Sequence, residues 1–270
     1  MLVAGAVCPH PPLLVPEAMG AGGIWQEADA GIRELRSACR QAVAVLADAQ
    51  PDLIAVVGGA DRTAVYRESA AGSMQSLGIP FVTGVGEPVL PLSLAIGAWL
   101  VRDLPPPRRA GARSWGLLLQ AVDRSLPPAE CLRLGRQLAR QAPRVALLAM
   151  GDGPARRATG VPGAADPLAD DYDTEVAAAL AAADPGRLAR LDPALDADLM
   201  VAGRAAWQVL AGAAEGGRLR GRLQYAAAPL DVTYLVATWG PDRSTGQDGR
   251  STGQDGRSAG DDGQRRQEVR

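Results

Sequence analysis

Four continuous apolar runs, each followed by a segment of helical periodicity, constrain this chain more than any other feature. Leu2–Val7, Leu53–Val57 and Val145–Met150 have no polar residue, Trp115–Val122 has one, Gln120, and Leu53–Val57 runs into Gly58-Gly59. A strand that is apolar on both sides must be covered on both sides, which is the pattern of a parallel sheet between helices. The intervening stretches supply the helices. Glu27–Ala49 repeats Ile32, Leu35, Ala38, Cys39, Ala42, Val45 and Leu46 on one face before Pro51. Leu90–Asp103 stops at Pro105-Pro106-Pro107, and residues 128–141 read as another helix. Asp170–Ala183, Asp192–Val201 and Arg204–Ala214 predict three more. Ile79–Val82 reads as a short strand, and Arg218–Ala227 with Asp231–Thr238 as a closing hairpin. The expected fold is α/β: a single domain over residues 1–240 with a largely parallel central sheet flanked by helices.

Residues 241–270 are of another kind. Arg243-Ser-Thr-Gly-Gln-Asp-Gly249 recurs as Arg250-Ser-Thr-Gly-Gln-Asp-Gly256, with a degenerate copy from Arg257. Such a repeat offers little to bury, so a disordered tail is expected.

Composition narrows the function. The 270 residues carry a formal net charge of -2, and every basic residue is arginine. That balance gives no basic field for nucleic acid or an anionic membrane. Cys8, Cys39 and Cys131 lie far apart with no C-x-x-C pair. Cys39 and Cys131 fall in helical patterns as small buried hydrophobes, and a reducing cytoplasm fits. No basic segment precedes the first apolar run and Pro9 interrupts it, so neither a signal peptide nor a membrane span is expected. Gly58-Gly59 and Gly84-x-Gly86 are too short for a nucleotide fingerprint, and no serine sits in a G-x-S-x-G elbow.

The one histidine, His10, follows the first apolar run. Prolines on both sides fix the backbone and pre-place the imidazole, a side chain that binds divalent metals or moves protons near neutral pH. Asp61 and Asp152 also follow predicted strands, where α/β sheets gather ligands. His10, Asp61 and Asp152 are therefore candidate metal ligands, and Glu17 an alternative carboxylate. Asp61 reads equally as a turn or helix cap, and Asp152 as a turn-former in Gly151-Asp152-Gly153. Arg156 and Arg157 are candidates for an anionic substrate, or simply face solvent. Asp166, Asp170, Asp171 and Asp173 read as the solvated start of a helix, where acidic groups suit the dipole.

Cys8-Pro9-His10-Pro11-Pro12-Leu13-Leu14-Val15-Pro16-Glu17 resembles the first metal-ligand motif of the class III extradiol ring-cleavage dioxygenases. These are the relatives of the protocatechuate 4,5-dioxygenase β subunit, together with the Memo-like proteins. Gly151-Asp152-Gly153-Pro154-Ala155 is similar to the family's third motif and Val201-Ala202-Gly203-Arg204 to its fourth. The resemblance implies a non-haem Fe(II) site of two histidines and a carboxylate, open to a catechol-like ligand and O₂. A further histidine would act as acid and base. It also implies histidines where this chain has Gly58-Gly59-Ala60-Asp61 and Ala155, and a Glu or Cys near Ala202. Three readings follow: an Fe(II)-dependent oxidoreductase with unusual ligands, a non-catalytic binding or scaffold protein on the same fold, and a different metal-assisted activity.

Overall fold

The structure is a computed structural model that describes residues 1–19, 26–108, 114–155, 168–229 and 231–241. Its centre is four parallel strands: β1 (Leu2–Cys8), β2 (Leu53–Ala60), β7 (Gly116–Asp123) and β8 (Val145–Met150). Short strand β3 (Ala64–Tyr66) flanks β7 antiparallel, and the hairpin of β9 (Leu219–Ala227) and β10 (Tyr234–Pro241) flanks β1. The sheet order is β3-β7-β2-β8-β1-β10-β9. This is the expected α/β architecture, with a parallel heart and antiparallel edges.

Alternation along the strands explains the continuous apolar runs. Ile54 and Val56 of β2 and Leu148 and Met150 of β8 point to one face, against α1 (Gln26–Asp48) and α2 (Leu92–Val101). Ala55, Val57, Leu147 and Ala149 point to the other. That face is covered by α3 (Pro128–Leu138), α4 (Leu168–Ala182), α5 (Pro185–Ala189) and α7 (Arg204–Ala214). With period 2 and two covered faces, nearly every position is apolar, and the buried Gln120 of β7 is satisfied by donating to the Ala64 and Ala121 carbonyls. Among the described residues, no helix is long and apolar enough to cross a membrane. Cys8, Cys39 and Cys131 are buried thiols, not disulfides.

Several boundaries differ from the sequence reading for local reasons. β2 does not stop at Gly58: Gly58 and Gly59 pair with Ala121 and Val122, carrying the strand to Ala60. α2 starts at Leu92 because Pro91 caps it and disfavours a helical residue before it. Gly78, at φ 75°, closes a short 3₁₀ turn (Gln75–Leu77) just before the expected Ile79–Val82 strand, of which only Val82 lies in a strand, β5 (Val82–Thr83). β5 joins β4 (Ala70–Ser73) and β6 (Val85–Pro88) in a small second sheet that the sequence did not announce. α6 (Pro193–Leu199) is shorter than expected, capped by the Asp192 carboxylate and closed by Met200 in the left-handed region. The last strand starts at Tyr234 rather than Asp231, because Thr233 exchanges backbone hydrogen bonds with Gly153 and Pro154 instead. Residues 242–270, with the repeat tail, lie outside the described residues.

Candidate functional site

Parallel registry brings the chemistry to one edge. Cys8 and Gly58 both pair with Met150, and Ala60 pairs with Asp123. His10, Asp61, Arg124 and Asp152 therefore leave the carboxyl ends of four neighbouring strands, where ligands gather in such sheets.

The His10 loop is built rigidly. Pro12–Leu14 form a 3₁₀ turn in which Leu14 and Val15 donate to Pro11 and Pro12. Arg36 of α1 donates to the carbonyls of Leu14 (2.7 Å) and Leu13 (2.9 Å), tying the loop to the helix. The Asp152 loop is equally fixed. Gly151 donates to Cys8, Ala202 to Asp152, Ala155 to Leu199 and Thr233 to Pro154. A Cβ on Gly151 would fall 2.3 Å from the Cα of Gly203, so only glycine permits this approach between the loop and α7.

Between the two loops, the His10 backbone N–H donates to Asp152 Oδ1 at 2.7 Å, and His10 Nδ1 lies 3.5 Å from the same oxygen. Their side chains are 12% and 17% exposed, sheltered but reachable. Tyr234 of β10 is buried; that burial, then the Asp152 charge, pushes its hydroxyl well above the ordinary value. Beneath them, burial pushes the Cys39 thiol up, reinforced by the Cys8 thiol and Asp152. A buried thiol held protonated is a poor metal ligand.

The remaining candidates go elsewhere. Asp61 is 92% exposed and forms an ion pair with Arg124. Glu17 is exposed and lines a separate cavity of about 420 Å³ with Arg40, Trp99 and Arg102, a set without His10 or Asp152. Arg156 and Arg157 lie outside the described residues. No group of three or more His, Cys, Asp or Glu side chains that could hold a metal ion occurs among the described residues. The expected His10–Asp61–Asp152 trio thus resolves into two pairs, one sheltered and one in water.

The acidic stretch also divides. Asp170 and Asp171 lie exposed in the first turn of α4, as expected of a solvated helix start. Asp173 departs from that expectation: it is buried and accepts a hydrogen bond from Thr233 Oγ1 at 2.6 Å. It sits on the buried α4 face, two residues past Asp171. Asp166 lies outside the described residues.

Sequence reasoning missed a second polar centre beside this edge. Arg204 of α7 and Asp196 of α6 form a buried ion pair, Nε to Oδ2 at 2.8 Å. Arg204 also donates to Leu126 (2.7 Å), to Gln208 Oε1 (2.9 Å) and to the Arg124 carbonyl. Burial pushes the Asp196 carboxyl up to about 6, against the opposing pull of Tyr172 and Arg204. Asp196 and Arg204 border a cavity of about 530 Å³ with Arg124 and Met200. An arginine four residues before a glutamine in an otherwise apolar helix was the available signal, since a buried guanidinium requires a carboxylate partner.

No protein-family profile matches this chain, and no curated protein matches it. Among solved structures it is similar to the crystal structure of JW3007, an uncharacterized protein from Escherichia coli K12. The two are 18% identical, with 88% of this chain and 100% of that chain covered, at a TM-score of 0.48.

Proposed function

We propose that this chain is a binding protein of class III extradiol dioxygenase ancestry, one that holds a catechol-like molecule without cleaving its ring. One observation carries the reading: His10 is the only histidine in the sequence, and among the described residues the carboxylate it meets is Asp152, while Asp61 lies exposed on Arg124. A site of two histidines and a carboxylate needs two neutral nitrogens, and one chain of this sequence supplies one. The residues present do not fit that Fe(II) site. A further histidine, beyond the two ligands, is what would relay the catechol proton, and Ala155 holds about that position in the resembling motif. What remains suits hydrogen bonding to a diol: a reachable carboxylate at Asp152 and the imidazole of His10. Two loops pinned by Arg36 and by the Gly151–Gly203 contact hold these groups in place before any ligand arrives.

Oxygen uptake and calorimetry test the reading on the full chain. After anaerobic addition of Fe(II), catechol and protocatechuate should produce no oxygen consumption above protein-free iron. Calorimetric titration with catechol should give the same Kd with and without chelator, weakened about tenfold by Asp152→Ala. Stoichiometric iron that is lost in His10→Ala, with oxygen consumed on catechol, would overturn the proposal, as would failure of both diols to bind.

A further inference from the structure

The cavity of about 530 Å³ beside Arg204 is separate from the His10 pair: neither His10 nor Asp152 lines it. Pro193, Ala197, Met200, Val201 and Ala205 supply its apolar walls, and among the described residues no aromatic ring does. Such walls suit an aliphatic body. A concave site that is mostly apolar, with few charged groups, is the usual form of a small-molecule pocket.

Among the described residues two cations border this cavity beside one carboxylate, Asp196, which is held by Arg204, and the two cations are in different conditions. Arg204 is buried and fully engaged by Asp196, Gln208 and two carbonyls. Arg124 is half exposed, and its side-chain partner is Asp61, itself 92% exposed. An ion pair so open to water contributes little and exchanges easily. A guanidinium matches a carboxylate in shape as well as charge, so a better-sheltered carboxylate would displace Asp61. Met200 adds a third feature: 59% exposed at the mouth, it is held at φ 57° by the end of α6.

The geometry points to a second ligand site here, one that takes a small aliphatic monocarboxylate. Its chain lies along Ala197, Val201 and Ala205, and its carboxylate takes Arg124 in place of Asp61. Asp61 is then an internal competitor for the guanidinium. This site does not depend on the catechol reading.

The test follows the Met200 methyl by NMR in the full chain labelled at methionine methyls, titrated with hexanoate. The Met200 signal should shift saturably. Arg124→Ala should weaken Kd about tenfold, the scale of one charge-assisted contact, and added salt should weaken it as well. Asp61→Asn should tighten binding, because it removes the competitor. Ala197→Phe, a change at an exposed position of α6, should fill the mouth and abolish the shift. 1-Hexanol, which lacks the carboxylate, should bind more weakly than hexanoate. His10→Ala should leave hexanoate binding unchanged, which separates this site from the diol site. An unmoved Met200 signal, or a Kd indifferent to both Arg124→Ala and Asp61→Asn, would overturn the inference.

Discussion

Two arginine–aspartate pairs stand one backbone contact apart and behave as opposites. In the Asp196–Arg204 pair the side chains are 6% and 3% exposed; in the Asp61–Arg124 pair they are 92% and 54% exposed. Arg204 even donates to the Arg124 carbonyl, so the buried pair fixes the backbone from which the exposed one extends. The residue types are the same, yet their energetics differ because water screens one pair and is excluded from the other. The buried pair is structural and the exposed one is exchangeable. His10–Asp152 falls between them, sheltered enough to be ordered and open enough to meet a ligand.

The sharpest way to break this contrast is Arg204→Ala. It leaves the Asp196 carboxylate buried without its cation and removes the bonds to Leu126, Gln208 and Arg124. The loss in urea unfolding should be about 3–5 kcal/mol. The same truncation at Arg124 should move the midpoint hardly at all.

Next comes pH. The Asp196 carboxyl titrates near 6 in the folded chain against an ordinary value of 3.8. Between those values the native state holds more protons than the unfolded one, so this group makes stability fall as pH rises. Its penalty is absent below about 4 and constant above about 6. Stability curves of wild type and Asp196→Asn should therefore diverge in favour of the variant across that window, by no more than about 3 kcal/mol, and run parallel above it. Curves parallel from pH 4 upward would remove Asp196 as the titrating group.

Asp152→Ala should have an intermediate effect. It deletes the acceptor of the His10 N–H and should cost about 2 kcal/mol, read from the urea midpoint. Asp61→Ala should have the smallest, with no measurable shift in melting temperature, because exposed pairs contribute about 0–1 kcal/mol.

Much of the architecture was legible because strand and helix periodicity are local. Arg204–Ala214 was read to the residue, and the four central strands were all found within two or three positions. The small sheet β4-β5-β6 was not legible. Ala70–Ser73 has no β-branched residue, and its place depends on α2, where a Cβ on Gly72 would meet that of Ala95 at 2.4 Å. α5 was missed too, since five residues opened by Asp184 and Pro185 carry a cap but no periodicity. In the candidate site, the positions of His10, Asp61 and Asp152 after strands were readable, and their partners were not. Asp61 turned to Arg124 and Asp173 to Thr233, and both choices were made by elements distant in the chain.

By itself the sequence determined the layered α/β fold, the edge at which polar residues emerge, and a supply of histidine limited to one. Those properties follow from residue type and from periods of 2 and 3.6, which are local. Only the tertiary structure decided which charge is buried and which carboxylate meets which cation. That depends on the solvent excluded when α6, α7 and the strand-end loops close together, and exclusion of solvent belongs to the assembled fold rather than to any segment of it.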